Sequence, residues 1–115
     1  MSDEVVDRLA AAGGTGIGTA DHAPGLLLCD DDTPLRKSLE RALERRGFRV
    51  YGAESLKEGL NLAHTIRPEY AVVDLRLEDG SGIELVKRLR ELHPKCRIVI
   101  LTDYGNIATA VAAVK

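Results

Sequence analysis

The sequence predicts an α/β fold, a doubly wound parallel sheet of strand order 2-1-3-4. Three observations carry this reading. Four short runs of strand character recur along the chain, at residues 26–30, 48–51, 70–74 and 97–102. The first and third are continuous apolar runs, the pattern of strands buried on both faces of a sheet. Between the runs the apolar period changes to that of a helix, with start and stop signals of its own.

Leu26–Asp30 is the first strand, an apolar run that ends in acid. Thr33-Pro34 opens the first helix, because Thr caps and Pro suits the first helical turn. Leu35, Leu39, Ala42, Leu43 and Arg46 follow at helical spacing, and Gly47 closes the helix at the position that favours a left-handed backbone. Phe48-Arg49-Val50-Tyr51 is the second strand. Ser55 and Glu58 form a capping box for the second helix, whose apolar positions are Leu56, Leu60 and Ala63, with Gly59 among them. That helix stops ahead of Pro68, which disfavours helix at Arg67. Tyr70–Asp74 is the third strand, again apolar and ending in acid. A loop with Gly80 and Gly82 leads to a third helix carrying Leu85, Val86, Leu89 and Leu92, ended by His93-Pro94. Arg97–Thr102 is the fourth strand, and an Ala-rich fourth helix is predicted from Asn106 to the end.

The length of 115 residues suits one domain. Residues 1–25, with the run Gly13–Ala20, have little to bury and much backbone entropy to lose, and they read as a flexible tail. Val5, Val6 and Leu9 suffice only for a marginal helical turn. The glycines match neither a dinucleotide fingerprint nor a phosphate-binding P-loop, since no strand precedes them and no Gly-Lys-Ser/Thr occurs. Sixteen Lys and Arg against eighteen Asp and Glu give a net charge of −2, which argues against a general nucleic-acid coat. No segment approaches the ~20 apolar residues of a membrane span, and no basic-then-apolar leader opens the chain. Two cysteines are too few for a disulfide framework. Cys29 reads as a small buried hydrophobe and Cys96 as partly exposed, in a reducing cytoplasmic setting.

The chemistry collects at one end of this topology. In the order 2-1-3-4, strands one and three lie side by side, and ligands bind beyond their carboxyl ends. Asp30 and Asp31 end the first strand, Asp74 ends the third and Thr102 ends the fourth. Clustered carboxylates repel one another, and a hard divalent cation with oxygen ligands relieves that repulsion. The cluster therefore predicts Mg²⁺, and Mg²⁺ predicts phosphate chemistry, with a carboxylate as nucleophile. Each residue also has a plainer role: Asp31, Asp32 and Thr33 as helix-start residues favoured by the dipole, Asp74 as a loop-facing acid, and Thr102 as a good strand former. Their meeting at one switch point is what makes the functional reading specific.

Residues 26–115 resemble the response-regulator receiver domain of two-component signalling. The resemblance rests on Leu-Leu-Leu-Cys-Asp-Asp-Asp-Thr-Pro-Leu-Arg (26–36), Pro-Glu-Tyr-Ala-Val-Val-Asp-Leu-Arg-Leu (68–77), Gly-Ile-Glu-Leu (82–85) and Ile-Val-Ile-Leu-Thr (98–102), in that order. Within the family, Asp74–Gly82 is similar to the RegA/PrrA/ActR branch of redox-responsive regulators. The resemblance implies that Asp30 and Asp31 bind Mg²⁺ and that Asp74 accepts a phosphoryl group from a sensor histidine kinase. It also implies that the Arg76 backbone carbonyl joins the metal and that Thr102 turns toward the phosphate. Asp32 is then a helix-start acid. Such a domain is a phosphoacceptor with at most slow self-dephosphorylation, not an enzyme, and it touches DNA only through an output domain.

The departures shape the expectation. Receivers carry a fifth strand with a lysine that contacts the phosphoryl group, and a fifth helix. This sequence ends at Lys115, inside the predicted fourth helix, and Lys115 reads as a solvated helix-terminal charge. Tyr104 does not replace the family's aromatic switch residue, and Glu78 stands where a Pro is common. The chain is therefore read as a receiver incomplete at its C-terminal end, whose fourth strand is an exposed edge open to homodimer or edge-strand association. An inert docking receiver is the rival reading. A phosphatase is disfavoured, because Pro34 stands where the Asp-x-Asp-x-Thr pattern needs Thr. On the first helix and just after it, Arg36, Lys37, Arg41, Arg45, Arg46 and Arg49 face Glu40 and Glu44. This is a solvated face with local pairs such as Arg36–Glu40, and the resemblance adds a kinase-docking role.

Overall fold

A computed structural model describes residues 23–101 and the pair 107–108. The strands are β1 (Gly25–Cys29), β2 (Arg49–Ala53), β3 (Tyr70–Asp74), β4 (Arg76–Leu77), β5 (Gly80–Ser81), β6 (Arg97–Leu101) and β7 (Ile107–Ala108). The helices are α1 (Thr33–Arg45), α2 (Leu56–Thr65) and α3 (Gly82–Leu92). β2, β1, β3 and β6 run parallel in that order, so the order 2-1-3-4 holds with β6 as the fourth strand.

Alternation along β1 divides the core. Leu26 and Leu28 pack on one face with Leu39 and Leu43 of α1, and with Phe48, Tyr70 and Val72. Leu27 and Cys29 pack on the other with Ala63 of α2 and with Leu85 and Leu89 of α3. Among the described residues one helix covers one face and two cover the other, which is why the central strands carry no polar side of their own. The Phe48 and Tyr70 rings meet edge to face at 5.2 Å and 85°, the arrangement aromatic quadrupoles prefer.

Local signals act largely as read. Gly47 has φ of 98°; its N–H donates to the Glu44 carbonyl (3.0 Å) and that of Phe48 to the Leu43 carbonyl (3.1 Å), closing α1 in a Schellman motif. Four details differ. Asp32, not Thr33, caps α1, its Oδ1 accepting from Leu35 N–H at 3.0 Å. Only half of the capping box forms: Ser55 Oγ accepts from Glu58 N–H (3.1 Å), while Glu58 Oε1 accepts from Glu54 N–H (2.8 Å). Cys96 is 2% exposed, because it faces the core shared with Leu89 and Ile98. Leu92 is 38% exposed, at the last turn of α3 where the helix runs past the sheet.

The C-terminal region also differs from expectation. Ile107–Ala108 pairs antiparallel with Ile100–Leu101, where a helix from Asn106 was predicted. An edge strand offers unpaired N–H and C=O groups, and backbone pairing satisfies some of them. The side chains of Ile98, Val99 and Leu101 are buried rather than presented to water. Thr102, Lys115, residues 1–22 and the rest of the predicted fourth helix lie outside the described residues. Among the described residues no helix is long and apolar enough to cross a membrane.

Candidate functional site

Asp30 is the first residue beyond β1, and its N–H still donates to the Ala53 carbonyl of β2 at 3.0 Å. That bond carries the sheet ladder one residue past the strand and fixes the direction of the side chain. Asp30 is 1% exposed. Its Oδ1 accepts from Asp32 N–H at 2.9 Å, and its buried Oδ2 has no hydrogen-bond partner among the described residues. Asp31, the next residue, accepts Glu78 N–H on Oδ2 at 2.9 Å, across 47 residues of sequence. Asp74 ends β3, and its Oδ1 accepts from Arg76 N–H at 3.2 Å.

The sequence-predicted acids therefore meet. One carboxylate oxygen from each of Asp30, Asp31 and Asp74 lies within 4.8 Å of the other two. Burial, then the neighbouring acids, pushes the Asp30 carboxyl above the usual carboxylate range against the opposing Asp32 N–H. Burial, then the Asp30 charge, pushes Asp74 up to about 6, opposed by Arg76 N–H. Three carboxylates in this spacing, with a buried Asp30 oxygen left without a hydrogen bond among the described residues, fit a hard divalent cation. Arg76 lies on β4 at the rim of this cluster, tied to Asp74 through its N–H.

Arg36 was read as part of a solvated face, and Asp79 was not singled out from the sequence. Arg36 is 7% exposed, and its Nη1 donates to the Asp30 carbonyl at 2.9 Å. Its guanidinium also lies 3.6 Å from Glu40 and 4.0 Å from Glu54. The Arg36–Glu40 spacing was legible as an ion pair, but its burial behind Asp30 was not. Asp79, in the turn between β4 and β5, accepts the N–H groups of Leu56 (2.8 Å) and Lys57 (3.1 Å) at the start of α2. Asp32 points its carboxylate at its own helix, as read.

The thiols take no part in this chemistry. Burial first, then nearby acids, pushes Cys29 up to about 12, and burial pushes Cys96 to about 12. Both stay protonated at neutral pH and are poor nucleophiles.

Residues 26–115 match the family model described as the response regulator receiver domain. The chain is 60% identical over 90 residues to the photosynthetic apparatus regulatory protein RegA of Cereibacter sphaeroides, covering 78% of this chain and 49% of that protein. It is 52% identical over 90 residues to the acid tolerance regulatory protein ActR of Rhizobium meliloti, covering 78% and 46%. The chain thus spans about half the length of these curated relatives. A response regulator from Burkholderia pseudomallei, solved with a phosphorylated aspartic acid, a calcium ion and citrate, superimposes with a TM-score of 0.68. It shares 42% identity, over 78% of this chain and 53% of that one.

Proposed function

The chain belongs to the response regulator receiver domain family, and from that premise we propose that residues 26–115 are a phosphoacceptor switch. Asp74 takes a phosphoryl group from the phosphohistidine of a sensor histidine kinase. The observation that carries this reading is the meeting of Asp30, Asp31 and Asp74 oxygens within 4.8 Å at the switch point of the sheet. An Asp74 oxygen attacks phosphorus and an O–P bond forms. The N–P bond breaks, its electron pair stays on the imidazole, whose other nitrogen already carries a proton, and the sequence ends in a neutral histidine and an aspartyl phosphate. Mg²⁺ bound by Asp30, Asp31, Asp74 and the Arg76 carbonyl supplies charge neutralisation for the transferring group. Arg36 holds the Asp30 backbone in place from behind. Thr102 offers its hydroxyl to a phosphoryl oxygen and so biases the conformational equilibrium.

The reading places the chain in the cytoplasm; the tail read over residues 1–25 stops short of Pro24 and Gly25, which backbone hydrogen bonds hold to the sheet. It acts on transcription through a DNA-binding output domain outside these 115 residues. Exposure to acetyl phosphate with Mg²⁺, followed by intact-mass and peptide analysis, tests it. Wild type gains one phosphoryl group on Asp74, and Asp74→Asn gains none; equal labelling of the variant overturns the assignment. A chain that takes neither the label nor beryllofluoride with Mg²⁺ present is a docking receiver instead.

A further inference from the structure

We propose that Asp79 is a positioning residue of the acidic pocket, tying the hairpin that walls the pocket to the start of α2. This rests on the reading of Asp30, Asp31 and Asp74 as the working site. The residues between Asp74 and α3 form a hairpin of two two-residue strands, with Arg76 opposite Ser81 and Leu77 opposite Gly80. So short a pair has little stability of its own, and its place depends on outside anchors.

Two anchors are the pocket acids. Arg76 N–H donates to Asp74 Oδ1, and Glu78 N–H donates to Asp31 Oδ2. The third is Asp79, whose two oxygens accept the first two N–H groups of α2, 23 and 22 residues away in sequence. Those donations hold the Asp79 carboxyl below its usual range. Ser55, the helix's own cap, reaches only Glu58 N–H, so the helix start is shared between a local cap and a remote one. Gly80 adds shape: its φ of 154° favours glycine, and a Cβ there would run into Leu56. Asp79 is exposed, so removing its carboxylate leaves no cavity. It frees the hairpin from α2, and Glu78 N–H, the next residue, loses its fixed aim at Asp31. Outer partners of metal ligands act on affinity in this way, by orienting the ligand.

Two caps of one helix supply the test. Asp79→Ala and Ser55→Ala each remove capping from α2, and both lower the thermal midpoint by a similar small amount. Only Asp79→Ala also weakens Mg²⁺ binding, by roughly tenfold, and speeds exchange of the Glu78 amide. Asp79→Asn, which keeps one acceptor oxygen, falls between. Wild-type Mg²⁺ affinity and Glu78 exchange in Asp79→Ala overturn the inference, and so does an equal loss of Mg²⁺ affinity in Ser55→Ala. If wild type itself binds no Mg²⁺, the phosphoacceptor reading fails, while Glu78 exchange still decides whether Asp79 holds the hairpin.

Discussion

At the carboxyl end of the sheet three acids converge, and Asp30 Oδ2 is buried with no donor among the described residues. At the amino end the polar groups of the loops find partners. Arg49 N–H donates to the Pro24 carbonyl, Glu69 N–H to that of Gly25 and Arg97 N–H to that of Glu69, at 2.9–3.0 Å. His93 Nε2 donates to the Ala63 carbonyl at 2.8 Å and joins the ends of α3 and α2. A hollow of about 1040 Å³ also lies at this amino end, lined by His64, Arg67, His93 and Lys95 among others. This hollow and the acidic cluster are therefore at opposite poles. One sheet holds a matched end that stabilises it and an end where like charges are held together against their repulsion.

The largest test of this contrast is Gly82→Ala. A Cβ at Gly82 would run into the Asp74 carbonyl oxygen and Val73, and the Gly82 N–H already donates to the Leu75 carbonyl at 2.9 Å. The backbone there has no room to give without moving β3. The substitution is expected to cost about 2–3 kcal/mol in chemical denaturation and to weaken Mg²⁺ binding. A variant that loses stability but keeps full affinity separates the packing of α3 from the geometry of Asp74.

Next in size is the cost of ionising Asp74, which is partly buried and lies beside Asp30. Asp74 titrates near 6 when folded and near 3.8 otherwise. Between those values the folded chain binds more protons than the unfolded one. Its contribution to stability is therefore full below about pH 4 and lost as pH rises through about 6. Asp74→Asn removes the titration. In metal-free buffer at about pH 7.5 the variant is expected to be more stable than wild type by about 1 kcal/mol, since partial exposure reduces the penalty of burial and of the neighbouring charge. At pH 4 the two should unfold together. A variant that is less stable than wild type at neutral pH contradicts the picture of a strained pocket.

How much of this was legible in the sequence follows from where each interaction closes. The parallel strands were readable because burial on both faces leaves a continuous apolar run, and Tyr70–Asp74 has the bounds that were read. Asp30, Asp31 and Asp74 were readable for the same reason: an acid at the end of such a run has one place to go. Arg36 was not, because its burial depends on the Asp30 carbonyl and on Glu54 from beyond β2. Asp79 was missed because it caps a helix that starts 23 residues earlier, and local spacing carries no trace of that bond. Cys96 was misread from its charged neighbours in sequence, whereas it packs into the core with Leu89 and Ile98.

The smallest effect belongs to the amino end. His93→Ala removes the donor that joins α3 to the Ala63 carbonyl. That carbonyl lies near the end of α2, where few intrahelical donors remain, and the site is only partly buried, so water replaces some of the loss. The expected cost is about 1 kcal/mol, read from urea denaturation, with Mg²⁺ affinity and labelling of Asp74 unchanged. Because His93 is at the opposite pole from the acids, its cost should add to that of Asp79→Ala within a few tenths of a kcal/mol. A double variant that departs from additivity by a full kcal/mol would mean that α2 carries strain from one end of the sheet to the other. The contrast between a matched pole and a strained one would then give way to a single coupled unit.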